Sequence, residues 1–219
     1  QKPFAGIKLN DIIDITIGKA GYPSNVFLNS SYGIYAENAH VYLYNNIFRN
    51  ILNTNNGDVN EGSAVYANNL NGYGDVTNPN HIWEELSVVA GSTTAANTFD
   101  NCFYGINAIN HKLKVNYNNF NDVNNAISCL GCVKKEISIT YNFMDSVGRG
   151  INLIEPKLST IDILNNSILT STLKTPIANV AAINVSDNVI YPSALDIWNN
   201  VVTNYGKYGI LVTNNFKPS

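Results

Sequence analysis

A handful of residues in this chain have the types and spacing that chemistry could use. His111, Lys112, Lys134, Lys135, Arg149 and Lys157 fall in or near consecutive corners of a repeat described below. A Lys or Arg base and a counter-charge for a substrate carboxylate are what elimination from a uronic acid would need, so Lys112, Arg149 and His111 are the catalytic candidates if the chain is an enzyme. They are scattered, no Asp cluster stands beside them to hold a metal, and solvated loop charges are the expected reading. Hydrolysis of a glycoside would need two carboxylates converging within a few ångströms, and no such pair is visible. Asp58 and Glu61 lie among asparagines in 53–61 and could offer oxygen ligands to calcium. Their spacing does not match the 12-residue calcium loop, so an ordinary polar loop and no resident cofactor are expected. Cys129-Leu-Gly-Cys132 has redox-like spacing without a strand-to-helix context. Buried, idle thiols are the first expectation for these cysteines and for Cys102, with a local disulfide as the alternative. Trp83, beside Glu84 and Glu85, either plugs the side of the fold or faces a ligand.

Composition removes several functions. Charged residues make up 13% of the chain, about half the usual share, the net charge is −3, and Arg occurs only at positions 49 and 149. The basic stripe that neutralises nucleic-acid phosphates is missing, so no nucleic-acid partner is expected. No apolar run approaches the roughly 20 residues of a membrane span.

The elements that must position these groups are announced by a repeat. A small residue followed by an aliphatic one recurs at Gly6-Ile7, Gly33-Ile34, Ala64-Val65, Gly105-Ile106, Ala126-Ile127, Gly150-Ile151, Ala182-Ile183 and Gly209-Ile210. Alternating with it is an asparagine two residues before a large apolar group: Asn25, Asn46, Asn97, Asn118, Asn142, Asn166 and Asn200. Asn25 to Asn46 and Asn97 to Asn118 span 21 residues, and Asn118 to Asn142 and Asn142 to Asn166 span 24. Ahead of most of these asparagines stands an alternating apolar pair, such as Val41 and Leu43 or Ile137 and Ile139, the period of a half-buried strand. Before Asn97 and Asn25 the same offsets hold Ser92 and Thr94, and Ala20 and Tyr22, so those coils fit less well.

A unit of this length cannot bury its apolar side alone, but stacked copies can. The sequence therefore predicts an all-β chain, a single-stranded parallel β-helix of about seven to eight coils over residues 1–219. Phe27, Phe48, Phe99, Phe120 and Met144 form an interior stack, and the asparagines form a ladder at a turn where their tolerance of left-handed backbone is useful. Insertions near 53–61 and 68–91 leave the cylinder. The repeat is already running at Gly6-Ile7 and still running at Asn214-Asn215-Phe216, so the chain reads as an internal part of a longer protein, with flanking domains of that protein as neighbours. With the inward residues fixed, the outward row comprises Tyr35, Tyr66, Asn107, Ser128, Asn152 and Asn184. Tyrosine faces and asparagine amides suit sugars, so Tyr35, Tyr66, Asn107, Asn152 and Trp83 are the binding candidates, beside the plainer expectation of an exposed, soluble β-surface.

Asn45-Asn46-Ile47-Phe48, Asn118-Asn119-Phe120 and Gly150-Ile151-Asn152-Leu153 resemble the repeats of the pectate lyase-like superfamily of right-handed parallel β-helices. The resemblance implies a right-handed coil, an asparagine ladder between the second and third sheets, and a groove on the outer side of the first. It implies an extracellular or bacterial cell-surface location and either of two roles. One is a non-catalytic scaffold or adhesin-like module contacting a polysaccharide or a cell-surface protein complex. The other is a polysaccharide lyase, hydrolase or epimerase. A repeat running at both ends of the sequence adds a third expectation, a component of a cell-surface protein assembly that docks through an edge coil or the long insertion. The paired-aspartate and Gly-His-Gly signatures of the polygalacturonase type are absent, which favours the first role.

Overall fold

In a computed structural model the chain folds as a right-handed parallel β-helix. Residues 3–54, 58–70, 86–132, 136–156, 159–171, 181–186 and 194–213 are described. The strands form three parallel sheets. The first holds the small-aliphatic strands, from Ala5–Asn10 through Tyr32–Glu37, Ser63–Asn68, Tyr104–Ile109, Asn125–Leu130, Arg149–Ile154 and Ala181–Ser186 to Tyr208–Thr213. The second holds the alternating apolar pairs, and the third opens at the asparagines. Each strand pairs with its equivalent in the next coil, so like residues lie one above another: Ile34 on Val65, Val65 on Ile106, Ile106 on Ile127.

The interior follows from that stacking. Phe27, Phe48, Phe99 and Phe120 lie ring on ring with centroids 4.8, 5.1 and 4.6 Å apart, and Met144 and Ile168 continue the column. From Asn46 to Asn200 each amide of the ladder both donates and accepts. Asn118 gives one Nδ2 hydrogen to Asn142 Oδ1 at 3.2 Å and the other to the carbonyl of Ala90 at 2.9 Å. Its own Oδ1 accepts from the backbone and side-chain nitrogens of Asn97. Links of this kind run unbroken from Asn25 through Asn46, Asn97, Asn118, Asn142 and Asn166 to Asn200.

Three expectations are corrected here. The left-handed residue at this turn is the one before the ladder asparagine: Asn45, Tyr117, Tyr141, Asn165 and Asn199 have φ of 54–60°. The ladder residue is selected for its amide, because both faces of that amide are satisfied. The coils that fitted poorly have their inward pairs after all, Ile15 with Ile17 and Val88 with Ala90. Longer turns, each opened by a left-handed glycine at Gly18 or Gly91, separate those pairs from Asn25 and Asn97. The 68–91 segment is therefore not all loop, since Ser87–Ala90 is a second-sheet strand. Finally, Cys129 and Cys132 are joined as a local disulfide, while Cys102 is buried outside that disulfide, with its Sγ 3.5 Å from the carbonyl of Asp100.

Candidate functional site

The first-sheet outer face carries the expected row in strict register. Tyr35 lies on Tyr66, Tyr66 on Asn107, Asn107 on Ser128, Ser128 on Asn152 and Asn152 on Asn184. Its exposure differs from the expectation of an open surface: Tyr66, Asn107 and Asn152 are buried and Tyr35 is half-buried. Neighbouring groups cover them. Phe4, Tyr32, Tyr35 and Tyr66 pack as one cluster with centroids 5.1–5.7 Å apart. Asn107 donates to Asn60 Oδ1 at 3.1 Å in the 53–61 insertion, and Asn184 donates to Asn152 Oδ1 at 2.9 Å. The Tyr32 hydroxyl donates to Asp58, and the Tyr35 hydroxyl to Glu37 at 2.7 Å. Burial first, and those carboxylate partners second, push both phenols well above the ordinary tyrosine range. Both therefore remain protonated donors at any physiological pH.

Asp58 and Glu61 are committed to the architecture of that insertion. Glu61 is buried and accepts from Ser31 Oγ at 2.7 Å, from Thr54 Oγ1 at 2.8 and 2.9 Å, and from the Thr54 backbone at 3.1 Å. Asp58 accepts from Tyr32 and from the Asn60 backbone at 2.9 Å. Among the described residues, no three His, Cys, Asp or Glu side chains come together as a metal site.

The catalytic candidates are not brought together. His111 is fully buried, with Nδ1 2.8 Å from the carbonyl of Ile109 and Nε2 3.2 Å from that of Ala39, so its ring ties one corner to another. Lys112 opens a second-sheet strand. Arg149 opens a first-sheet strand, where its Nε is buried without a hydrogen-bond partner. Burial pushes the guanidinium down, opposed by neighbouring Tyr104. Trp83, Lys134, Lys135 and Lys157 lie outside the described residues.

A second group was missed in the sequence. Asp14, His40 and Ser87 each immediately precede the inward pair of a second-sheet strand in consecutive coils, and the register of those pairs stacks them. His40 Nδ1 lies 3.0 Å from Asp14 Oδ1, and its Nε2 is hydrogen-bonded to Ser87 Oγ. Lys112 is the next member of the column, its Cα paired with that of Ser87. The signal was available as the position before the inward pair, but the insertion ahead of Leu86 hid the register of Ser87.

Compared with known proteins, the chain matches no family model, no curated protein and no solved structure.

Proposed function

We propose that this chain is a rigid β-helix module of an extracellular, bacterial surface or secreted protein, which displays its first-sheet face to a polysaccharide. The observation that carries this reading is the uncharged row of Tyr35, Tyr66, Asn107, Ser128, Asn152 and Asn184, held in register on a backbone with a continuous core and ladder. Its half-buried members Tyr35, Ser128 and Asn184 offer a ring edge, a hydroxyl and an amide, while His111, Lys112 and Arg149 lie too dispersed to act as one acid–base centre there. A local disulfide at Cys129–Cys132 fits an oxidising compartment. Titration calorimetry with neutral and uronate oligosaccharides tests the reading. Binding weakened about tenfold in Tyr35→Ala is expected, on the ~1–2 kcal/mol such a contact supplies. Absence of binding to every glycan class would overturn it in favour of a protein partner in a cell-surface assembly.

A second reading, a polysaccharide lyase, hydrolase or epimerase, rests on Arg149. A half-buried guanidinium with an unpartnered Nε beside Tyr104 is suited to a substrate carboxylate. Cleavage or epimerisation of pectin, alginate or glycosaminoglycan oligosaccharides that disappears in Arg149→Ala would establish it.

A further inference from the structure

We propose that Asp14, His40 and Ser87 form an acyl-transfer site on the second sheet, separate from the first-sheet face, which hydrolyses esters of short carboxylic acids. The atoms are assigned as nucleophilic catalysis requires. The serine hydroxyl meets Nε2 of the ring, and the carboxylate meets Nδ1 at 3.0 Å, so one imidazole bridges a nucleophile and an orienting acid.

The supports of that arrangement are rigid. His40 donates its backbone N–H to the carbonyl of Ile12 at 3.0 Å and accepts from Ile15 N at 3.1 Å. Its ring stacks on Tyr42 with centroids 4.6 Å apart. Asp14 sits in left-handed backbone at φ 59°, a conformation that aspartate and asparagine adopt more readily than most residues. Lys112 follows Ser87 in the same column, its Cα paired with that of Ser87 on the next strand of the sheet. Side-chain exposure falls along the relay, from 64% for Asp14 to 20% for His40, and Ser87 as a whole is 8% exposed. With so little of Ser87 exposed, the substrate class of the proposal is acetyl and similarly short esters rather than long acyl chains.

The chemistry balances without any further reactant than water. Ser87 Oγ bonds to the ester carbonyl carbon as its proton passes to His40 Nε2, and Asp14 steadies the resulting imidazolium. The tetrahedral intermediate expels the alcohol, which takes the proton from Nε2. Water then attacks the acyl-serine, gives a proton to His40, and releases the carboxylic acid as Ser87 recovers its proton.

The test is treatment of the intact chain with a fluorophosphonate, followed by peptide mass spectrometry, alongside hydrolysis of 4-nitrophenyl acetate and 4-nitrophenyl octanoate. The expected result is labelling at Ser87 and preference for the acetate. His40→Asn and Ser87→Ala should each slow turnover about 100- to 10,000-fold while thermal melting stays close to that of the parent. Asp14→Asn should be slower than the parent and still labelled. An unlabelled Ser87 in the parent protein overturns the proposal whatever the variants do. So does hydrolysis that survives Ser87→Ala, or a loss of melting temperature in that variant with no activity to lose, which would make the relay a tie between coils.

Discussion

Asn142 gives its two amide hydrogens to Asn166 Oδ1 at 3.0 Å and to the carbonyl of Val115 at 2.7 Å, while its own oxygen accepts from the backbone and side chain of Asn118. All of these groups are buried, so a partner removed is not replaced by water. Asn142→Ala should therefore cost about 2–4 kcal/mol, or roughly 5–15 °C in melting temperature for a chain of this size. Asn119, half-buried on the outer side of the third sheet, is the control, and Asn119→Ala should stay within about 0.5 kcal/mol. Equal losses in the two variants, followed by thermal or urea unfolding, would mean that the ladder is decorative. The residue one place earlier shows what the ladder does not need. Asn45, Asn165 and Asn199 take the left-handed bend easily, yet Tyr117 and Tyr141 take it too, and their rings stack at 4.9 Å with 1° between planes. A ring pair worth about 0.5–1.5 kcal/mol offsets much of the roughly 1–2 kcal/mol that such a bend costs an ordinary residue.

At the scale of the strand, the small residue ahead of each aliphatic one is a packing device. A Cβ on Gly105 would fall 2.5 Å from the carbonyl oxygen of Ala126 and 2.6 Å from Cε1 of Phe120, and Gly33 meets Ala64 and Phe48 in the same way. The aromatic stack therefore lies against bare backbone where it passes beneath the first sheet. Gly105→Ala should destabilise by about 1–3 kcal/mol through overpacking, and adding Phe120→Leu should recover part of that loss. If the double variant is no better than the single one, the clash with Ala126 dominates and the ring is innocent. The recurrence of these small residues and the strand register were legible in the sequence, because the inward and outward residues of a strand alternate with a period of two, but the contact with the aromatic stack was not. The inward register of Ile34, Val65, Ile106, Ile127, Ile151 and Ile183 could be read directly. What could not be read was turn length. The four- and five-residue extensions that follow Ala90 and Ile17 shift the local offset without disturbing the stack, so Ser92 and Thr94 stood where Val88 and Ala90 belong. The same extensions and the insertion before Leu86 concealed the Asp14–His40–Ser87 column, since only the three-dimensional register brings residues 14, 40 and 87 together. Tyr66 and Asn107 were placed on the correct face, but Tyr66 packs against the rings of Tyr32 and Tyr35, and Asn107 is tied to Asn60 of the insertion, which no periodicity connects to it.

Over the whole molecule, each coil touches only its neighbours, so stability is a chain of interfaces rather than one shared core. Ile106, Ile127 and Ile151 are fully buried between coils on both sides. Ile210 and Val212 lie in the same columns, on Ile183 and Val185, yet are 47% and 42% exposed. A coil packed on both sides can open only by breaking two interfaces, whereas the Tyr208–Thr213 strand breaks one. Hydrogen exchange on the 219-residue chain should therefore be graded. Amides of Tyr104–Ile109, Asn125–Leu130 and Arg149–Ile154 should exchange slowest, and those of Tyr208–Thr213 at least about 100-fold faster, equivalent to roughly 2.7 kcal/mol of local stability. Asn142→Ala makes the gradient diagnostic. Its effect should concentrate in the coils that contribute Asn118 and Asn166, and leave Ala5–Asn10 nearly unchanged, because the lost bonds join only adjacent coils. Uniform protection along the chain, or a uniform response to that substitution, would instead make the helix a single cooperative block, and the ladder would then transmit stability over its full length rather than from one coil to the next.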